Sequence, residues 1–367
     1  MRRSTDHILT SHVGSLPRPK SIEGLLKPDG DNTAYLAALP AAVKEIVQTQ
    51  REIGLDVGND GELSKMGSWS GYIERRLAGY ESKLLVAATG PEQADFPEYH
   101  AGRPRATGIP IPQMVCTGPI SYIDTEIKRD VANLQAATEG LDPQDFFMCS
   151  VSPDNINYNP GGNEYYASEE EFIAANAKAM RGEYEAITDA GFTLQIDMPV
   201  QKFNFLRMTV EQFRTRLAGF VEILNDTLTG IPPEQVRVHI CYGGGKQPHT
   251  GDIGLGDIID LVLELNVTAV SFDQNVRHEH EWHIFEDLKL PEGKMLMPGV
   301  VAHTTDVIEH PEVISERLVR LGRLVGRENV MAGTDCGLGG RVPREIAWAK
   351  FASMVEGARL ATERLSR

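Results

Sequence analysis

Cysteine is scarce in this sequence: four in 367 residues (Cys116, Cys149, Cys241 and Cys336), too few for a disulfide framework. In a reducing compartment they are open to three uses, as core residues, metal ligands or nucleophiles. Long hydrophobic runs are missing too; none approaches the roughly 20 residues needed to cross a bilayer, so no membrane partner is expected. The opening MRRSTDHILTSHVG has two arginines with no apolar stretch of signal-peptide length behind them, which predicts a cytoplasmic protein. Positive charge is also short. With 36 basic against 52 acidic residues, a formal charge of −16 and no basic cluster, the chain is not expected to bind nucleic acid, where Lys and Arg on phosphate dominate affinity. What is present, 41% hydrophobic and 24% charged residues, is the composition of a globular protein with a sizeable core.

Short β-rich runs recur along the chain: HILTSHVG at 7, LDVGNDGE at 55, QMVCTGPI at 113, FFMCSVSP at 146, TLQIDMP at 193, VRVHICYG at 236, AVSFDQN at 269, MLMPGVV at 295 and VMAGTDCG at 330. Amphipathic stretches separate them, such as 169–191, closed by Gly191, and TVEQFRTRLAGFVEILNDTL. Strand and helix alternating this often predict a parallel sheet with crossover helices, hence an α/β fold: a single (β/α)8 TIM barrel with long loop excursions. Nine runs are one too many for eight strands, so QMVCTGPI or FFMCSVSP is expected to be a loop or accessory strand. Residues 80 to 112, rich in Pro, Gly and charge, read as an excursion from the barrel.

Polar residues able to bind a ligand stand where these runs stop: Glu62, Asp197, His239, Cys241, Asp273, His303 and Cys336. In a parallel barrel those ends converge on one mouth, where such folds keep their chemistry. His239 and Cys241 are spaced i, i+2 on a strand and so point to one face. With Cys336 they offer two thiolates and an imidazole, a set suited to tetrahedral Zn²⁺ with an exchangeable fourth position; Asp273 is the nominated fourth ligand. An isolated His-x-Cys is a weak signal, because free cysteine is often a small buried hydrophobe. Cys336, set in a glycine-rich turn, has no such excuse, whereas Cys116 and Cys149 lie in apolar runs and are read as core. A thiolate-rich zinc is a poor catalyst of hydrolysis and a good holder of a third sulfur, so the expected chemistry is alkylation of a thiol.

HxC at 239–241, GTDCGLG at 333–339, SHVGSLPRP at 11–19 and QIDMP at 195–199 together resemble the catalytic barrel of the cobalamin-independent methionine synthase family, over nearly the whole chain. The resemblance implies a (β/α)8 barrel, zinc, and a thiol acceptor such as homocysteine. It makes His239, Cys241 and Cys336 zinc ligands and puts Asp273 where the family usually has a glutamate. Aspartate is one methylene shorter, so either the backbone moves in or water or substrate thiolate fills that position. The family holds its amino acid with a Gly-Ser pair, here Gly14 and Ser15, and two acids, here Glu62 and Asp197, whose carboxylates suit an ammonium group. The rival reading of Glu62 is that it caps the next segment. His303 matches a family histidine that relays a proton near the acceptor sulfur. His278 and His280, in RHEHEW at 277–282, are read as makers of structural hydrogen bonds.

Two departures stand out: Met198 replaces the acid of the family's QIDEP, and there is no room for the additional N-terminal barrel, so the folate-binding half is expected to be missing. A methylated folate remains a candidate alkyl donor. The chain also resembles epoxyalkane:coenzyme M transferase in SHVGSLPR, EYEAITDAG, HICYG, LPEGK, PGVVAH and TDCGLGGR, which implies the alternative of thiol addition to an epoxide. A non-catalytic zinc-binding protein is the third reading. Lys246 in the GGGKQPH run, Arg18 and Arg341 are candidates for holding an anionic group of a substrate.

Overall fold

The computed structural model describes residues 1–27, 30–66, 71–86, 90–101, 110–157, 161–243, 245–274 and 276–367. Among the described residues nine strands form: β1 (Gly58–Asn59), β2 (Leu77–Leu85), β3 (Ile111–Tyr122), β4 (Phe146–Val151), β5 (Thr193–Pro199), β6 (Val236–Cys241), β7 (Ala269–Phe272), β8 (Met295–Val301) and β9 (Gly333–Thr334). Seven make a parallel sheet in the order β1-β4-β5-β6-β7-β8-β9. The segment around Thr10 is the eighth stave. It bridges Ala332 in parallel, donates from Ser11 N–H to the Ala332 carbonyl (2.9 Å) and accepts at Thr10 O from Val57 N–H (3.0 Å), which closes the ring between β9 and β1. The expected barrel is therefore present.

The surplus run is QMVCTGPI. It lies in β3, which pairs antiparallel with β2 in a hairpin outside the barrel, while FFMCSVSP supplies β4. Hydropathy does not separate them, because a strand's pattern carries no address for its partner. Parts of the 80–112 excursion belong to this hairpin; residues 87–89 and 102–109 lie outside the described residues. Buried Arg76 anchors its base, donating to Glu183 Oε2 at 2.8 Å and to Asp130.

Strands β4, β5, β6 and β8 are buried at every residue, as parallel strands covered on both faces must be. The helices that cover them start and stop as their sequences predict. Ser168 caps the helix Glu169–Asp189, and Gly191 follows with φ 86°; Thr209 and Gln212 form a reciprocal capping box at the start of Val210–Thr227. Outward-facing side chains pack against these helices in the larger core. A smaller apolar cluster fills the lumen, and it contains Phe147, Cys149, Met297, Cys241 and Cys336.

Candidate active site

Alternation along three adjacent strands builds the site. Register places Gln195 beside Arg237, and Asp197 beside His239, which in turn neighbours Ser271. Period two then stacks Arg237, His239 and Cys241 on one face of β6. Arg237 is the floor: fully buried, it lies 3.7 Å from the Phe147 ring centroid and donates to Ser11 Oγ (3.0 Å), the His12 carbonyl (2.8 Å) and Gln195 Oε1 (2.9 Å). Gln195 passes the order upward by donating to Asp197 Oδ1 at 2.7 Å.

Above that floor, one ligand atom each from His239, Cys241 and Cys336 falls within 4.8 Å of the others. The two sulfurs are 3.6 Å apart and unbonded. Tetrahedral zinc ligands at about 2.3 Å would stand roughly 3.8 Å apart, so the pair is already spaced for one ion. His239 Nδ1 is paired with Ser271 Oγ at 3.1 Å, while Nε2 is buried without a hydrogen-bond partner among the described residues. A buried unpaired ring nitrogen is costly unless something binds it. That orphan, with two soft sulfurs beside it, fits a zinc-type ion. Cys336 is held well below the ordinary thiol range by its hydrogen bond with Cys241 and by the Arg341 guanidinium; Cys241 is pushed up.

Asp273 does not join this group. It is buried one residue beyond β7, with Oδ1 unpartnered among the described residues, and burial together with neighbouring Asp335 drives its carboxyl well above the carboxylate range. It lies beside Cys336 but outside the three ligand atoms that fall within 4.8 Å of one another, and its service as the fourth ligand is a proposal.

Next to the sulfurs, Glu62 and Asp197 line the same cleft, whose empty space, mouth included, is about 480 Å³. Ser15 lines it too. Gly14 stands against Glu62, and Ser15 against Gly337: a Cβ on Gly337 would meet Ser15 Oγ at 2.2 Å, and the Ser15 carbonyl accepts from Leu338 and Gly339 N–H at 2.9 Å each. The N-terminal motif is thereby docked on the Cys336 turn. Burial raises the Asp197 carboxyl to about 6. His303 is buried, with both ring nitrogens unpartnered among the described residues; burial lowers it to about 4, so it is a neutral imidazole, close enough for Cys336 to act on it electrostatically.

Other sequence candidates sit elsewhere. Arg18 donates to Tyr35 Oη (3.1 Å) on the helix Thr33–Ile53, outside the cleft. Lys246 is exposed, its carbonyl accepting from Tyr99 Oη. His278 is structural as expected, hydrogen-bonded to Asp252 (3.1 Å) and Glu281 (3.0 Å) and stacked on Tyr242 at 4.0 Å. Burial pulls it down, but the two carboxylates more than reverse this, to about 9. Sequence reasoning missed Lys65, whose Nζ is 2.9 Å from Glu62 Oε2, and also Gln195, Arg237 and Ser271. The last three share strand parity with Asp197, His239 and Asp273, a signal available from spacing alone.

The fold and the cluster define a class: a (β/α)8 barrel presenting a Cys2His group at the C-terminal mouth of its strands. Within that class the chain belongs to the cobalamin-independent methionine synthase family. Residues 163–360, more than half of it, match the family described as cobalamin-independent synthase, catalytic domain. It is 23% identical over 368 residues to a methionine synthase of Sulfolobus acidocaldarius, covering 98% of this chain and 93% of that one. It is likewise 23% identical over 366 residues to the uncharacterized protein YxjH of Bacillus subtilis, covering 94% and 92%. A B12-independent methionine synthase from Shewanella sp. W3-18-1, solved in complex with selenomethionine, shares the fold at TM-score 0.77 and 19% identity, over 98% of this chain and 99% of that one. Among the described residues no helix is long and apolar enough to cross a membrane.

Proposed function

We propose that residues 1–367 form a single zinc-binding barrel domain that transfers an alkyl group, specifically methyl, to a small thiol such as homocysteine in the cytoplasm. The observation that carries this reading is the His239, Cys241 and Cys336 group with the unpartnered Nε2 of His239. When bound, zinc would supply the Lewis acidity that keeps a substrate thiol deprotonated at neutral pH. The chain's own residues do the rest. Ser271 holds the His239 ring by Nδ1 so that Nε2 faces the sulfurs. Glu62 and Asp197 receive the acceptor's ammonium: with Lys65 offsetting one carboxylate, the trio keeps one negative charge in excess once Asp197 is ionised. Gly14 leaves the Glu62 carboxylate the room it needs, and Ser15 contributes to the wall beside Cys336. His303, with both ring nitrogens unpartnered among the described residues, is the candidate to relay the proton that the thiol gives up. The names of the relatives support methyl as the group and homocysteine as the acceptor, and a methylated folate is the donor class to try first.

The test is metal analysis of the purified chain, then titration with a panel of thiols followed at the zinc X-ray absorption edge. The expected result is one zinc bound by two sulfurs and an imidazole, gaining a third sulfur from an amino-acid thiol. A chain that binds no zinc, or a zinc shell that no thiol enters, overturns the reading.

A further inference from the structure

Each resident sulfur of the cluster carries an N–H donor. Arg341 Nη1 donates to Cys336 Sγ at 2.8 Å and to the Gly337 carbonyl at 2.8 Å, so one guanidinium nitrogen clamps both the sulfur and the turn that carries it. On the other side, Gly243 N–H donates to Cys241 Sγ at 3.3 Å. Gly243 has φ 106°, a left-handed conformation that turns its N–H back toward the residue two before it. Arg341 lines the same cleft as the two cysteines, and both hydrogens of its Nη1 go to a sulfur and a carbonyl of the cluster.

A site that alkylates sulfur with two sulfurs of its own has a selectivity problem. If a resident sulfur attacked the donor carbon, the new C–S bond would fall on Cys336 or Cys241 and the ligand would be lost. Hydrogen bonds to a thiolate draw on the lone pair that would attack, and one from a charged donor is about twice as strong as a neutral one. An incoming thiol brings no protein donor with it. We propose that Arg341, supported by the Gly243 N–H, is a specificity-determining positioning residue that masks the resident sulfurs, so that alkylation falls on the substrate sulfur. In the favoured step the acceptor sulfur forms the bond to carbon, and the bond from carbon to the leaving group breaks with its electron pair going to that group. The inference rests on the zinc-dependent thiol alkylation proposed above.

The experiment treats the zinc-loaded full chain, as wild type, Arg341→Gln and Arg341→Lys, with iodoacetamide. The reagent forms a carbamidomethyl thioether and releases iodide; mass spectrometry of peptides gives the labelling rate at each cysteine, with zinc content read on the same samples. Loss of a charge-assisted hydrogen bond predicts Cys336 labelling about tenfold faster in Arg341→Gln, a smaller change at Cys241, and partial protection restored in Arg341→Lys. Wild type alone is a second measure, since Cys241, with only a backbone donor, should be labelled ahead of Cys336. Equal Cys336 rates in zinc-loaded wild type and Arg341→Gln, or Cys336 labelled first in wild type, overturn the masking role. A wild type that binds no zinc overturns the underlying alkylation reading and this inference with it, a result distinct from equal labelling at full zinc content.

Discussion

Gly14 and Glu62 compete for one space: a Cβ built on Gly14 would stand 1.9 Å from Glu62 Oε1 and 3.0 Å from Cys149 Sγ. The residue's φ of 133° already disfavours any side chain there. Gly14→Ala must therefore push the carboxylate out of the cleft. If Glu62 holds the acceptor's ammonium, the variant should bind an amino-acid thiol at least about tenfold more weakly while keeping its zinc, the scale of one lost charge-assisted contact. Calorimetric titration paired with metal analysis checks this, and unchanged thiol affinity would remove Glu62 from the acceptor site.

Lys65 makes a second prediction. Its ammonium lies 2.9 Å from Glu62 Oε2 and 4.5 Å from the Tyr72 ring centroid, with both ion-pair side chains under a tenth exposed. Removing one partner of such a pair strands a buried charge at a cost of about 3 kcal/mol or more. Glu62→Gln should thus lower unfolding stability on that order, and adding Lys65→Met should restore most of the loss. Urea unfolding of the two single variants and the double variant reads the coupling; simple additivity would show that the pair is not linked.

The Asp197 carboxyl gives a pH signature with two opposite slopes. Its folded value, about 6, lies above the ordinary 3.8, so the protonated form favours the fold. That contribution is complete below 3.8 and is lost as pH rises through about 6. Binding of an ammonium needs the ionised form, so acceptor affinity should climb across the same window while this part of the stability falls. Asp197→Asn should flatten both. Thiol affinity measured from pH 5 to 8 that is flat in the wild type would count against Asp197 as the ammonium's partner.

Much of this site was legible because it is built from local rules. His239 and Cys241 follow from period two on one strand, and the convergence of Glu62, Asp197 and Cys336 on one cleft follows from the topology of parallel barrels. What resisted reading depends on where the backbone goes after a strand ends. Asp273 has the parity of a ligand, but it stands one residue beyond the end of β7, where strand alternation no longer says how far its carboxylate reaches toward the other three. Lys65 reaches Glu62 through a turn in which Glu62 itself takes φ 54°, a conformation that residue type does not announce. Strand β3 has the composition of a barrel strand and is excluded from the ring only by its antiparallel partner.

Ser271 offers a test of the metal site that leaves every proposed ligand in place. It faces His239 across the β6–β7 register and pairs with Nδ1 at 3.1 Å, which leaves Nε2 as the nitrogen without a partner among the described residues. Both residues are buried, so water cannot simply replace the hydroxyl. Without it the ring gains rotational freedom, and its tautomer is no longer set. Groups in this position typically contribute about 10- to 100-fold in metal affinity. Ser271→Ala should accordingly weaken zinc binding by at least about tenfold in competition with a chromogenic chelator, and the metal-free chain should stay folded with a stability lower by about 1 to 3 kcal/mol for the buried Nδ1 left unpaired. Ser271→Thr, which keeps the hydroxyl, should recover most of the affinity. Zinc affinity in Ser271→Ala equal to wild type would mean that His239 does not bind through the nitrogen this geometry leaves free.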